Sequence, residues 1–345
     1  MNAAASQVIL KDEKASTMIL VTGPDGFVGN EVCRELLRRG AAVRGGQWRA
    51  APLPDGCKSV VIGDIGPDTN WSAALVGVDV VIHLAARVHI MKDVSDDPLA
   101  EFRRINVDGT RRLAEAAAEA GVKRLVFLST VKVNGESTNP ASFGLSGGKG
   151  QFVEMDPPRP EDAYGVSKWE AEEVLREIEK NSGMEVTILR SPLIYGPGVK
   201  ANYLKLIRLV DRGIPLPFGG IQNKRSLISL TNLVDLICCC LKHPAASGNT
   251  FLVSDGDDVS TPELVRRIAQ ALGKHFRLLP IPGWMMIVGG VLTGKTMQIK
   301  RLCGSLQIDS SKVRRVLSWT PPSSMAEELA KMAKWYREQQ AKSGN

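Results

Sequence analysis

The 345-residue chain lacks the marks of several functional classes. Its longest apolar run, Trp284 to Leu292, is about half of the roughly 20 residues that a membrane-spanning helix needs, so no span is expected, though the segment could rest on a membrane surface or a partner. The first seventeen residues carry Asp12, Glu13 and Lys14 and have no long apolar core, which excludes an ordinary secretory signal. They read as a disordered leader (1–17), and Met18 opens the first strand. Four scattered histidines (His83, His89, His243, His275) and six cysteines without CxxC or Cys/His ligand spacing give no metal site. Three of those cysteines, Cys238, Cys239 and Cys240, stand together in an apolar helical stretch and read as small core residues. Thiols used that way suit a reducing compartment, and a cytoplasmic protein is expected. The formal charge of +7 is spread among many acids without a basic block, which argues against a nucleic-acid arm and for mild attraction of anionic small molecules. No internal repeat is visible.

The hydrophobic fraction of 43% is ordinary for a globular protein. The most informative stretch runs from Met18 to Gly29, a buried-strand signature followed by glycines at positions 23, 26 and 29 and then by helical periodicity through Arg39. In such a strand–turn–helix unit, glycines let the backbone approach a pyrophosphate at the positive end of the helix. Near-continuous apolar strands recur around Val43, Ser59 to Ile65, Val78 to Ala86, Arg124 to Thr130, Val186 to Arg190 and Thr250 to Ser254, with helical stretches between several of them. That pattern predicts an α/β fold with a Rossmann-type, doubly wound parallel sheet. Composition shifts after Arg190. A smaller, mainly helical C-terminal domain is expected from about 191–225 and 255–340, with 18–190 and about 226–254 forming the dinucleotide-binding half.

A site for NAD usually places a carboxylate about 20 residues beyond the glycine loop. Gln47, Trp48 and Arg49 stand there instead, and Arg44 and Arg49 flank the position of a 2′-phosphate, so NADP is expected to bind at least as well as NAD. Ser129 and Thr130 end a strand where ligands of parallel sheets bind. The Gly/Ser/Pro-rich stretch from Glu136 to Pro160 predicts a long functional loop. Tyr164 and Lys168 lie four apart on one helical face, and an ammonium beside a phenol lowers its pKa toward the working range of an acid–base catalyst. Gly289 to Thr296 fits the triphosphate-loop pattern GxxxxGK[ST] but lacks the strand before it, and reads as a helix break. His83, inside an apolar strand, reads as a satisfied core residue.

Taken in order, the glycine loop, Asp64-Ile65, His83 to Ala86, Asn106-Val107, Ser129-Thr130, Tyr164 with Lys168, and Arg190 to Pro197 resemble the extended short-chain dehydrogenase/reductases, the NAD-dependent epimerase/dehydratase family. The resemblance implies Thr130, Tyr164 and Lys168 as the catalytic group, and it implies cofactor contacts at Gly23, Gly26, Phe27, Val28, Gly29, Arg49, Asp64, Ile65, Leu84, Ala85, Ala86, Lys168 and Pro192. It implies substrate contacts at Ser129, Tyr164 and Arg225, the last on a diphosphate, with NAD or NADP as cofactor and a UDP-sugar as substrate. It also implies a homodimer formed through the Phe102 and Trp169 helices. Within the family, Arg87-Val88-His89, Val131 to Glu136, Arg225 to Ile228 and Arg301 to Leu306 look most like reductases of UDP-4-keto-6-deoxy-N-acetylglucosamine in surface-polysaccharide synthesis. UDP-glucose 4-epimerases come second, and a non-catalytic cofactor-binding relative is the reading from another class.

Overall fold

The computed structural model describes residues 17–88, 97–139, 150–294 and 296–343. Nearly all of the expected leader, His89, Lys295 and the middle of the Glu136–Pro160 loop lie outside the described residues. The first strand, β1 (Met18–Thr22), is an uninterrupted apolar run with Leu20, Val21 and Thr22 fully buried, as a strand covered on both faces must be. It leads through the glycine turn into α1 (Phe27–Arg38), whose Val32, Cys33 and Leu36 are the buried stripe. Next come β2 (Ala42–Gln47), β3 (Lys58–Val61), the short α2 (Ser72–Leu75) and β4 (Val80–His83). Helix α3 (Pro98–Arg103) runs into a π-helical turn (Arg104–Asp108) and α4 (Gly109–Glu119), followed by β5 (Arg124–Thr130). A long α5 (Ala163–Ser182) starts at an Asp162 cap and ends at Gly183 in the left-handed region (φ 73°).

After α5 come β6 (Glu185–Ser191), β7 (Leu193–Tyr195), α6 (Ala201–Asp211), β8 (Leu227–Ser229), α7 (Leu230–Cys240) and β9 (Thr250–Leu252). The C-terminal part holds α8 (Thr261–Leu272), α9 (Gly283–Leu292), α10 (Thr296–Cys303), α11 (Ser311–Leu317) and α12 (Met325–Ser343). Seven strands form one sheet in the order β3-β2-β1-β4-β5-β6-β9, with β1–β2, β1–β4, β2–β3 and β4–β5 parallel. The order reverses at β1 and β4, so the ends of those two strands form the crevice where such sheets bind ligands.

The chain divides into two compact units. The first comprises the described residues through Ser129 together with Asp162–Leu189 and Ile237–Thr250. Its core is built from Leu20, Trp71, Leu113, Phe127, Leu175 and Ile188 and their neighbours. The second comprises Thr130–Glu161, Arg190–Leu236 and the residues from Phe251 onward. It therefore takes in the expected loop and the 226–236 stretch, which the sequence pattern grouped with the dinucleotide-binding half. The loop's described ends show why. Thr138 N–H donates to Ser305 O and Phe152 N–H to Gln307 O, each at 2.9 Å, and Phe152 packs with Val131, Leu252, Leu306 and Ile308.

The described part of the triphosphate-loop pattern, Gly289 to Leu292, is the end of α9, and Gly294 (φ 66°) breaks the chain before α10. No strand leads into it.

Candidate active site

The glycine turn is shaped by close approach. Gly23 has φ 66°, and a Cβ on Gly29 would stand 2.0 Å from the Gly23 carbonyl oxygen. A Cβ on Gly26 would reach 3.1 Å from that same oxygen, which accepts the Gly26 N–H. Helix α1 therefore begins hard against the strand end. Its N-cap is Gly26, with no side-chain cap and no acidic residue in the first turn. The first N–H groups of α1, those of Phe27, Val28 and Gly29 among them, are left to a ligand, and the helix dipole favours an anion there. A cradle that only glycine permits, at an uncapped helix start, fits a dinucleotide pyrophosphate. Pro24 removes one donor, and its ring instead fills the space beside Gly45, where a Cβ would lie 2.9 Å from Pro24 Cγ.

The floor of this cradle is a buried polar chain. Thr22 Oγ1 accepts the N–H groups of Leu84 and Ala85, both at 3.1 Å, so its own proton must go to His83 Nδ1 at 2.7 Å. His83 therefore carries its proton on Nε2, which faces Thr110 Oγ1 at 3.0 Å, and Thr110 donates to Asn106 O at 2.6 Å. Burial, helped by the Lys168 charge, drives the His83 pKa down to about 3, so the imidazole stays neutral. Its work is to tie the ends of β1 and β4 together beneath Gly23. Ala85 backbone atoms lie 3.2 Å from the position of a Gly23 Cβ, and Leu84, Ala85 and Ala86 are partly open.

Beyond β2 the two arginines part ways. Arg44 donates to Ala74 O and Val76 O, both at 2.8 Å, and so caps the end of α2. This corrects its expected place beside a 2′-phosphate. Arg49 is exposed and lies over the Trp48 ring at 4.9 Å. Gln47, at the position of the usual carboxylate, accepts from Ser59 Oγ at 2.6 Å and donates to Ala51 O at 3.1 Å. Asp64 pairs with Arg104 at 3.0 Å, and Ile65 packs on Gly109, whose Cβ would meet Ile65 Cγ2 at 2.5 Å.

Helix α5 carries the pair expected to react, Tyr164 and Lys168. Asp162 accepts the Gly165 N–H at 2.8 Å and fixes the helix start. Tyr164 stands against the Phe102 ring (6.2 Å between centroids), whereas Lys168 Nζ lies 3.7 Å from the centroid of Phe127. Burial lowers the Lys168 pKa to about 7, with the Glu172 carboxylate opposing it. Tyr164 departs from expectation. Burial, then the Asp162 charge, pushes its phenol above the ordinary value. Both groups are desolvated and each faces a different aromatic ring, so the expected lowering of the phenol by its neighbour is overridden.

Two supports had no role assigned from the sequence, Glu172 being unnamed there and Asn106 quoted only within the family pattern. Glu172, one turn beyond Lys168 and 2% exposed, accepts the Ser129 hydroxyl at 2.5 Å. Ser129, expected as a substrate contact, thus points its hydroxyl at α5. Asn106, in the π-helical turn, donates to Ser167 Oγ and Arg87 O and accepts Arg87 N–H at 2.8 Å. Ser167 bonds in turn to Tyr164 O, so Asn106 braces the helix between Tyr164 and Lys168.

The remaining expected residues belong to the second unit. Thr130 caps a 3-10 turn, its Oγ1 accepting the Lys132 N–H at 3.3 Å through a lone pair rather than its proton. Pro192 is buried immediately after β6. Arg225 Nη1 donates to Arg301 O (2.6 Å) and Gly304 O (3.1 Å), capping the end of α10, and the partly exposed Lys132–Glu136–Arg301 cluster adjoins it through the Glu136 charge. No metal-holding cluster occurs among the described residues.

The family model described as NAD dependent epimerase/dehydratase family matches residues 19–254. A Vibrio cholerae protein named UDP-glucose 4-epimerase is 45% identical over 323 residues, covering 93% of this chain and 96% of that protein. An Escherichia coli O157:H7 protein, N-acetyl-alpha-D-glucosaminyl-diphospho-ditrans,octacis-undecaprenol 4-epimerase, is 29% identical over 309 residues, 86% of this chain and 88% of its own length. Among solved structures, MoeE5 in complex with UDP-glucose and NAD is similar at a TM-score of 0.73 and 27% identity, over 93% of this chain and 99% of that one.

Proposed function

The chain belongs to the NAD dependent epimerase/dehydratase family, and on that footing we propose that it is a 4-epimerase of a UDP-linked hexose. The observation that carries this reading is the 45% identity, across nearly the full length of both chains, to a protein named UDP-glucose 4-epimerase. A second relative is also a named 4-epimerase. This reverses the order expected from sequence, in which a 4-ketoreductase came first.

NAD, when bound, would supply a reversible hydride acceptor for carbon 4 of the sugar. Tyr164 takes the proton from the carbon-4 hydroxyl as hydride departs and gives it back on reduction. The Lys168 ammonium holds the cofactor ribose, and the Thr130 hydroxyl steadies the reacting oxygen. Phe27, Val28 and Gly29 hold the pyrophosphate by their N–H groups at the start of α1. Ile65 and Asp64 border the adenine, with Arg49 at the ribose side, while Leu84, Ala85, Ala86 and Pro192 line the nicotinamide half. Arg225 meets the substrate diphosphate through donors other than Nη1. The protein acts as a homodimer through the α3–α4 stretch that carries Phe102 and through α5, which carries Trp169, and a monomeric mass in solution would remove that part.

The test is incubation with UDP-glucose, UDP-galactose and their N-acetyl counterparts, following product identity and NADH absorbance together. Interconversion of a pair of 4-epimers without net change in NADH is expected. Consumption of NAD(P)H with a 4-keto sugar, and no epimerisation of any pair, would instead establish the reductase.

A further inference from the structure

Helix α9 presents an apolar face that is open to solvent among the described residues. Met285, Val288, Val291 and Leu292 are 48%, 51%, 62% and 82% exposed, and Leu279, just before the helix, is 44% exposed. Their spacing places them on one side. The opposite side is packed, since Met286 is 8% exposed and a Cβ on Gly290 would lie 3.0 Å from Ile299 of α10. A contiguous exposed patch of this kind marks a site of association rather than ordinary surface.

The charge around it is one-sided. Between Glu263 and Asp309 the sequence has no carboxylate and seven cationic residues, Arg266, Arg267, Lys274, Arg277, Lys295, Lys300 and Arg301, which equals the whole formal net charge of +7. Arg266 and Arg267 pair with Glu263, Lys274 with Asp211 and Arg301 with Glu136. Arg277 precedes α9 and is exposed, and Lys295 and Lys300 follow α9 in sequence. An apolar helical face within a stretch of sequence whose only charged residues are cations matches the pattern of helices that lie in the plane of an anionic lipid surface. A second copy is the poorer occupant, because a two-fold interface through α9 would bring cationic flanks against each other. A helix of about 15 Å also offers far less area than the roughly 800 Å² per partner of a stable interface. No described helix is long and apolar enough to cross a membrane, so the contact would be interfacial.

We propose that the outer face of α9, through Met285, Val288, Val291 and Leu292, docks the protein on the anionic surface of a phospholipid bilayer, with the surrounding lysines and arginines drawing it there. This goes beyond the epimerase reading and stands apart from it, because binding is read without turnover.

The experiment is co-sedimentation of the full-length protein with vesicles of phosphatidylcholine alone and with equal parts of phosphatidylglycerol, at low and at physiological salt. Binding to the anionic vesicles and little to the neutral ones is expected. Val288→Asp with Leu292→Asp should lower the partition coefficient roughly tenfold, leaving the circular dichroism and the turnover of a soluble nucleotide sugar unchanged. Should that pair misfold, Leu292→Gln serves the same purpose with a smaller loss. No sedimentation with anionic vesicles at low salt would overturn the proposal. So would binding that the α9 substitutions leave intact, or a dimer that those substitutions break in a protein that ignores vesicles.

Discussion

Between pH 6.5 and about pH 3 the unfolded chain takes up a proton at His83 that the folded chain refuses. The unfolded state therefore binds more protons in that window, and stability must fall as the pH falls through it. At pH 4 the loss is about 3 kcal/mol. Urea melts of His83→Phe should show a protein weaker by roughly 1–3 kcal/mol at pH 7, because Thr22 and Thr110 lose their partner, yet with a flatter acid limb. Lys168 acts in the other direction. With its pKa near 7, the ammonium that the proposed chemistry needs is lost as the pH rises through neutrality, so turnover should decline on the alkaline side with a midpoint near 7. Glu172→Gln removes the charge that opposes this, and should move the midpoint to lower pH in a rate profile. Tyr164→Phe should reduce turnover by about 10²–10⁴ while leaving the affinity for NAD, measured by titration, nearly unchanged. Tyr164 and Lys168 stood out in the sequence by their spacing together with the glycine turn and the Ser129-Thr130 strand end before them. Glu172 did not, since Glu170, Glu172, Glu173 and Glu177 look alike on paper. Only the approach of Ser129 on β5 selects the one that is buried.

At the level of elements, the hydrophobic runs located all seven strands of the main sheet, the inner ones because strands covered on both faces leave an uninterrupted apolar signature, while β3 is a largely exposed edge strand. The glycine turn was equally readable, and its geometry makes the sharpest prediction at this scale. Gly29→Ala places a methyl 2.0 Å from a backbone oxygen that cannot yield. It should cut NAD affinity at least tenfold and lower the melting temperature by several degrees, as thermal melts with and without cofactor would reveal. What escaped the sequence was the set of tasks decided by packing. Arg44 faces the end of α2 because a strand side chain has only two faces to choose from, and this one meets Ala74 and Val76. The π-helical turn that aims Asn106 at Ser167 has no composition of its own. The loop after β5 reads as a flap by its Gly, Ser and Pro content, yet its described ends are bound by main-chain hydrogen bonds to the 305–308 segment, which lies far away in sequence.

Across the whole molecule, the chain leaves and re-enters each compact unit repeatedly, changing unit at Thr130, Asp162, Arg190, Ile237 and Phe251. The first unit also takes residues as late as Thr250, and its sheet ends at β9 (Thr250–Leu252), added beside β6. A fragment ending at Leu236 should therefore melt without a cooperative transition, even though it contains the glycine turn and the Tyr164 helix.

That path has a consequence for biogenesis. On the ribosome, the first six strands of the sheet emerge well before the strand that closes its edge, and long-range closures of this kind are slow. Until residue 252 is clear of the exit tunnel, the nascent sheet exposes the β6 edge as a template for other chains. Demand for chaperones should accordingly peak late in translation, and slowing elongation before that point should lower the yield of native protein instead of raising it.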